Sequence, residues 1–158
     1  MSSARADSLA RGLLAGLVAT CALAGVLIAA RVSGVMSHLD LVAILAHALG
    51  SRSLAVGWIA HFFVGVLLWG PLFVWADRRT SFAPWVNGLA FGSLVWLGVM
   101  LIIMPLAGEG AFGLALGVAT PTLTLFLHWV YGAVLGNVYA ALRPGMWTAA
   151  MGHRLHHA

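Results

Sequence analysis

Charge is what this chain has least of. Of its 158 residues only 8% are charged and 62% are hydrophobic, whereas a soluble domain carries about 25% charged residues. With a mean hydropathy of +1.01, the sequence cannot build a water-facing surface. Lysine is absent, so the net charge of +4 comes from eight arginines, which stand at the ends of apolar runs. That placement excludes a nucleic-acid-binding face and reads as membrane topology and headgroup contact. The single cysteine, Cys21, lies inside an apolar run. It excludes an internal disulfide and every paired-cysteine motif. No glycine-rich phosphate loop, HExxH motif or serine–histidine–acid arrangement occurs, so no enzyme class is supported. The expected class is an all-α polytopic membrane protein, with residues 1–158 forming one domain.

What is present is a set of long uncharged runs. Pro121 to Leu142 holds no charge before Arg143, and a helix of about 20 residues crosses a bilayer core. Thr120 can cap its start, Pro121 fits the first turn, and Arg143-Pro144 stops it. Between Arg11 and Arg31 lies a second run, longer than the apolar region of about 7–15 residues in a cleaved signal peptide. It therefore reads as a retained span. Ser53 to Ala76, ended by Asp77-Arg78-Arg79, and Pro84 to Pro105 complete the set. Spans are expected at about 12–30, 54–76, 85–105 and 121–142, with a kink at Gly70-Pro71. Residues 38–49 mix apolar side chains with His38, Asp40 and His47 before Gly50. This segment is too short and too polar to span, and fits a short interfacial helix. The glycine-rich stretch from Leu106 to Thr120 reads as a loop on, or dipping into, the membrane face.

Four spans divide the arginines. Arg5, Arg11, Arg78, Arg79, Arg143 and Arg154 share one side, and Arg31 and Arg52 the other. The positive-inside rule then places both termini in the cytoplasm. Trp58, Trp75, Trp85 and Trp147 near span ends fit interfacial anchoring. A repeat is visible: Gly12 and Gly16 open span one as Gly88 and Gly92 open span three. His61 precedes Gly65 in span two as His128 precedes Gly132 in span four. The expected architecture is two tandem helical hairpins in parallel orientation.

His61 and His128 are expected at equal depth on parallel helices, and ionisable groups inside a membrane are functional candidates by default. Two such imidazoles suit axial ligation of b-type haem, with Gly65 and Gly132 making room for the ring, or a shared metal ion, or a proton relay. The plainer alternative is interhelical hydrogen bonding. His38, Asp40, His47 and Glu109 fall on the opposite side from the termini, with Asp40 and His47, seven apart, on one helix face. Histidine with carboxylate suits a transition metal, and a solvated amphipathic helix and a loop acid are the plainer reading. His153, His156 and His157 form a polar tail. Gly12/Gly16, Gly88/Gly92 and Gly132/Gly136 are GxxxG pairs, which serve close helix packing.

Pro105-Leu-Ala-Gly-Glu-Gly-Ala-Phe-Gly113 and His128-Trp-Val-Tyr-Gly-Ala-Val-Leu-Gly-Asn-Val-Tyr139 resemble small four-helix bacterial inner-membrane proteins filed as domains of unknown function. The resemblance implies a bacterial inner-membrane setting and four helices, and transfers no catalytic residue. The expected function is a non-catalytic membrane component that packs with partner membrane subunits or its own copies, motivated by exposed GxxxG faces and many aromatic side chains. A haem- or metal-binding electron carrier built on His61 and His128, with His47 as a third ligand, is the first alternative. A small transporter or proton pathway on the same histidines is the second, and would respond to pH near about 6.5.

Overall fold

The computed structural model describes residues 3–34 and 39–143. These are helical, and no strand occurs among them. Helix α1 runs Ser3–Ser33, α2 Leu41–Ala48 and α3 Leu54–Phe62, followed by a π-helical segment Phe63–Trp69 and α4 Gly70–Asp77. Helix α5 is Pro84–Gly98, continued by a π segment Val99–Ile103 and α6 Met104–Leu106. A 3₁₀ helix, Ala111–Leu116, then leads to α7, Thr120–Ala141. Four segments are long and apolar enough to cross a membrane: Arg5–Ser33, Leu54–Asp77, Pro84–Leu106 and Thr120–Ala141. They are called here the first to fourth long helices.

Their boundaries follow from local chemistry. Proline at the first turn starts the third and fourth long helices, where the missing N–H would be unpaired in any case. Asp40 caps α2 by accepting the Ala43 N–H at 3.0 Å. The expected kink at Gly70-Pro71 takes a different form. Backbone dihedrals stay helical through Trp69 and Gly70, and the irregularity is the π segment just before the proline. A wide turn with i→i+5 bonding absorbs one extra residue without breaking the helix. The stretch expected as a glycine-rich loop instead contains the 3₁₀ turn, with Gly108, Gly110, Gly113 and Gly117 at positive φ. Phe112 also takes a left-handed conformation, φ 59°. Its ring packs on Trp96 at 5.8 Å between centroids, which offsets the strain.

Long helices pack in pairs through glycine. A Cβ placed on Gly16 would press on the Gly65 carbonyl, and one on Gly12 on Val74 and the Gly70 carbonyl. The first two long helices are therefore antiparallel, with backbones in contact. Gly88 meets the Gly132 carbonyl, Gly92 the His128 carbonyl and Gly136 the Pro84 carbonyl, which pairs the third and fourth in the same way. Between the pairs lies a core of Ala15, Ala19, Phe73, Phe91, Leu127 and Leu135. The outer surface is apolar: Ile59, Phe63, Leu94 and Phe126 are more than half exposed. The fourth long helix is the most enclosed, with 44% of its most apolar window buried, so it holds the centre. At the end away from the N-terminus, α2 and the 3₁₀ turn close over Met100 and Met104 in a second small core.

Candidate functional site

Within this frame the buried polar side chains form a short seam. Thr20 and Thr124 are fully buried, and each hydroxyl donates to the carbonyl four residues back, Gly16 and Thr120, at 2.7 Å. Such back-bonding satisfies a hydroxyl inside an apolar bundle without a partner helix. Trp96 Nε1–H donates to Thr124 Oγ1 at 3.1 Å, joining the third and fourth long helices. Tyr131 O–H donates to the Gly65 carbonyl at 2.7 Å, joining the fourth to the second.

The two expected histidines lie on this seam. His128 Nδ1–H donates to the Thr124 carbonyl at 2.7 Å, which leaves the lone pair of the neutral ring on Nε2. His61 is half-buried, with the Thr20 backbone beside it and the Trp58 ring edge-on at 5.7 Å. The two imidazoles come from the second and fourth long helices. His61 Nε2 is buried with no hydrogen-bond partner among the described residues.

Room for a porphyrin at Gly65 and Gly132 is not what these glycines provide. A Cβ at Gly65 would overlap the Thr20 hydroxyl, and one at Gly132 the Gly88 carbonyl, so neighbouring helices already occupy both notches. The pair offers two imidazole nitrogens, and the chemistry it can perform unaided is to accept, hold or pass a proton.

Among the described residues the second expected group does not assemble. Asp40 is engaged as the α2 cap and in an ion pair with Arg31 at 2.7 Å. His47 is exposed at the far end of α2, about two turns and 10 Å along the axis from Asp40. Sharing a helix face is not sharing a site. Glu109 sits in the turn that follows α6, where its N–H and carbonyl both take backbone bonds. His38, with the tail His153, His156 and His157, lies outside the described residues. Among the described residues no three His, Cys, Asp or Glu side chains gather where they could hold a metal ion.

Sequence reasoning missed a network at the other end. Asp77 reads in the sequence as a helix stop, yet it is buried. Its Oδ1 accepts Asn87 Nδ2–H at 2.9 Å, and its Oδ2 accepts an Arg143 N–H. One carboxylate thus ties the end of the second long helix to the start of the third and the end of the fourth. Arg78 donates to Ser8 Oγ and brings in the start of the first. The available sign was Asn87, a polar residue one turn inside an otherwise apolar run.

No curated protein and no solved structure matches the chain. The profile of a family of unknown function, DUF6789, matches residues 6–148, nearly the whole length. The chain belongs to that family, whose function is unknown.

Proposed function

We propose that this is an integral protein of the bacterial inner membrane, with both ends of the chain in the cytoplasm, and that it acts as a non-catalytic component packing against a partner membrane helix or a second copy. The apolar outer surface supports insertion, and the arginine excess at the Ser8–Asp77 end supports the orientation. The GxxxG pairs do not supply the docking face, because they are consumed in the interior crossings. The observation that carries the reading is on α1. Cys21, Gly25 and Ala29 face outward at four-residue steps, and a Cβ added at Gly25 would meet nothing within 4 Å. Small residues at that spacing let a second helix approach closely in lipid.

Cys21 is exposed and is itself the probe. Mild oxidation of native membranes should yield a disulfide-linked dimer or a mixed species, and Gly25→Leu should abolish it without changing the melting temperature. A monodisperse monomer that forms no adduct and carries no co-purifying protein would sink this reading.

We infer a duplication as well. Gly12, Gly16, Gly65 and Gly70 of the first two long helices make the contacts that Gly88, Gly92, Gly132 and Gly136 make in the last two. This supports two tandem helical hairpins related by a parallel repeat.

A second reading is favoured by the buried, unpartnered His61 Nε2: metal binding or proton handling by His61 and His128 inside the bundle.

A further inference from the structure

We propose that the arginine-lined cavity at the Ser8–Asp77 end binds a phosphate-bearing anion, most simply the phosphodiester of an acidic lipid. The inference rests on the reading that the long helices cross a membrane, because that places the cavity at headgroup depth. The cavity measures about 480 Å³, within the range of small-ligand sites. Arg11 comes from the N-terminal part of α1, Arg78 from the end of α4 and Arg143 from the end of α7, so three helices bring three arginines to one hollow.

The charge there is not balanced internally. Asp77 is the carboxylate in the lining, and both its oxygens are engaged, by Asn87 and Arg143. Among the described residues the ion pairs are Arg31–Asp40 and Arg143–Asp77, so neither Arg11 nor Arg78 is ion-paired. Arg11 spends its Nε–H on the Asp7 backbone carbonyl at 3.0 Å, not on the Asp7 side chain. Three arginines against one aspartate leave two positive charges around the hollow. Guanidinium presents paired N–H donors that match phosphate oxygens, and basic pockets between membrane helices on the cytoplasmic side suit anionic headgroups.

The surroundings point the same way. Trp75 and Trp85, both more than half exposed, stand near the end of the second long helix and the start of the third, positions at which tryptophan marks a membrane–water boundary. The Tyr139 ring, under the Arg143 guanidinium at 5.0 Å, supplies a buried floor to the hollow. Arg79 provides an internal control. It lies next in sequence to Arg78, but its guanidinium is turned away over the Trp75 ring at 3.7 Å and bonded to the Trp75 carbonyl.

The test uses the full chain in an uncharged maltoside detergent. Melting temperature is followed while phosphatidylglycerol, phosphatidylcholine or inorganic phosphate is added. Phosphatidylglycerol should raise it in a saturable way and phosphatidylcholine should not. A further response to inorganic phosphate would assign a free-anion site, and its absence a lipid headgroup; either supports the proposal. Arg11→Gln and Arg78→Gln should each weaken the apparent affinity about tenfold or more, and Arg79→Gln less than about twofold. Equal losses at all three positions, meaning diffuse attraction, would overturn the site, as would no response to any anion. Extraction of native membranes with alkaline carbonate separates the two readings. If the chain is released, membrane spanning fails, while the phosphate titration still reports on the cavity.

Discussion

Asp77 shows how much a single side chain decides here. Its carboxylate is 5% exposed and its partner Arg143 is 43% exposed, so one end of the pair is dry and the other is screened. Removing the arginine leaves a buried charge with only Asn87 to satisfy it. Arg143→Gln should therefore cost about 2 kcal/mol, below the usual figure for a fully buried pair because solvent reaches the guanidinium. Asp77→Asn keeps an acceptor for Asn87 and removes the charge, so its cost should be smaller, about 1 kcal/mol or less. Combining the two changes should recover stability relative to Arg143→Gln alone. Thermal melts of the three variants in one detergent check this, and a double variant weaker than both singles would refute the account.

Among the helices, the π segment in the second carries the clearest lesson. Gly65 and Gly70 are five residues apart, yet both meet the first long helix; Gly132 and Gly136, four apart, both meet the third. In a regular α-helix five residues overshoot one turn by about 140°, and the pair would face different neighbours. The segment Phe63–Trp69 removes the discrepancy by widening one turn. Deleting Leu67, an exposed residue of that segment, should convert it to regular α-helix with the four-residue glycine spacing of the fourth long helix. The protein should fold, with a melting temperature near that of the parent. Deleting Val134, between Gly132 and Gly136, should instead rotate one glycine off the contact and leave an aggregated or unfolded product. Gel filtration and helical circular dichroism distinguish the two outcomes. If both deletions fold equally well, glycine register is not what pairs these helices.

Across the molecule, polar chemistry among the described residues concentrates in three places: the histidine seam, the Arg31–Asp40 cap and the arginine-lined hollow. The seam exists only in the assembled bundle, because His61 and His128 come from different long helices with Thr20 of a third beside them. Its functional reading is therefore tested on the intact protein. A reduced-minus-oxidised visible spectrum, with metal analysis of the same sample, should show a cofactor if the histidines hold one. The signal should then vanish in the His61→Ala/His128→Ala double variant. A colourless, metal-free parent, or a cofactor retained in the double variant, would assign these rings to hydrogen bonding and proton handling.

The sequence alone determined what depends on composition and on local runs. Four helices long and apolar enough to cross a membrane follow from uncharged stretches of sufficient length. Proline at two helix starts and the short helix before span two were legible in the same way, because helix length, capping and hydropathy are local properties. Tertiary structure decided everything that depends on which faces meet. The GxxxG pairs read equally well as outward docking faces and as inner crossings, and only the packed bundle shows them spent inside. Asp40 and His47 shared a helix face on paper, yet two turns of rise and a capping bond keep them apart. Asp77 looked like a stop signal because the sequence does not say that three other helix ends bring Asn87, Arg143 and Ser8 to meet it and Arg78. Burial and partnership are properties of the assembled chain, and in an apolar bundle they fall to the few polar side chains whose partners lie far away in sequence.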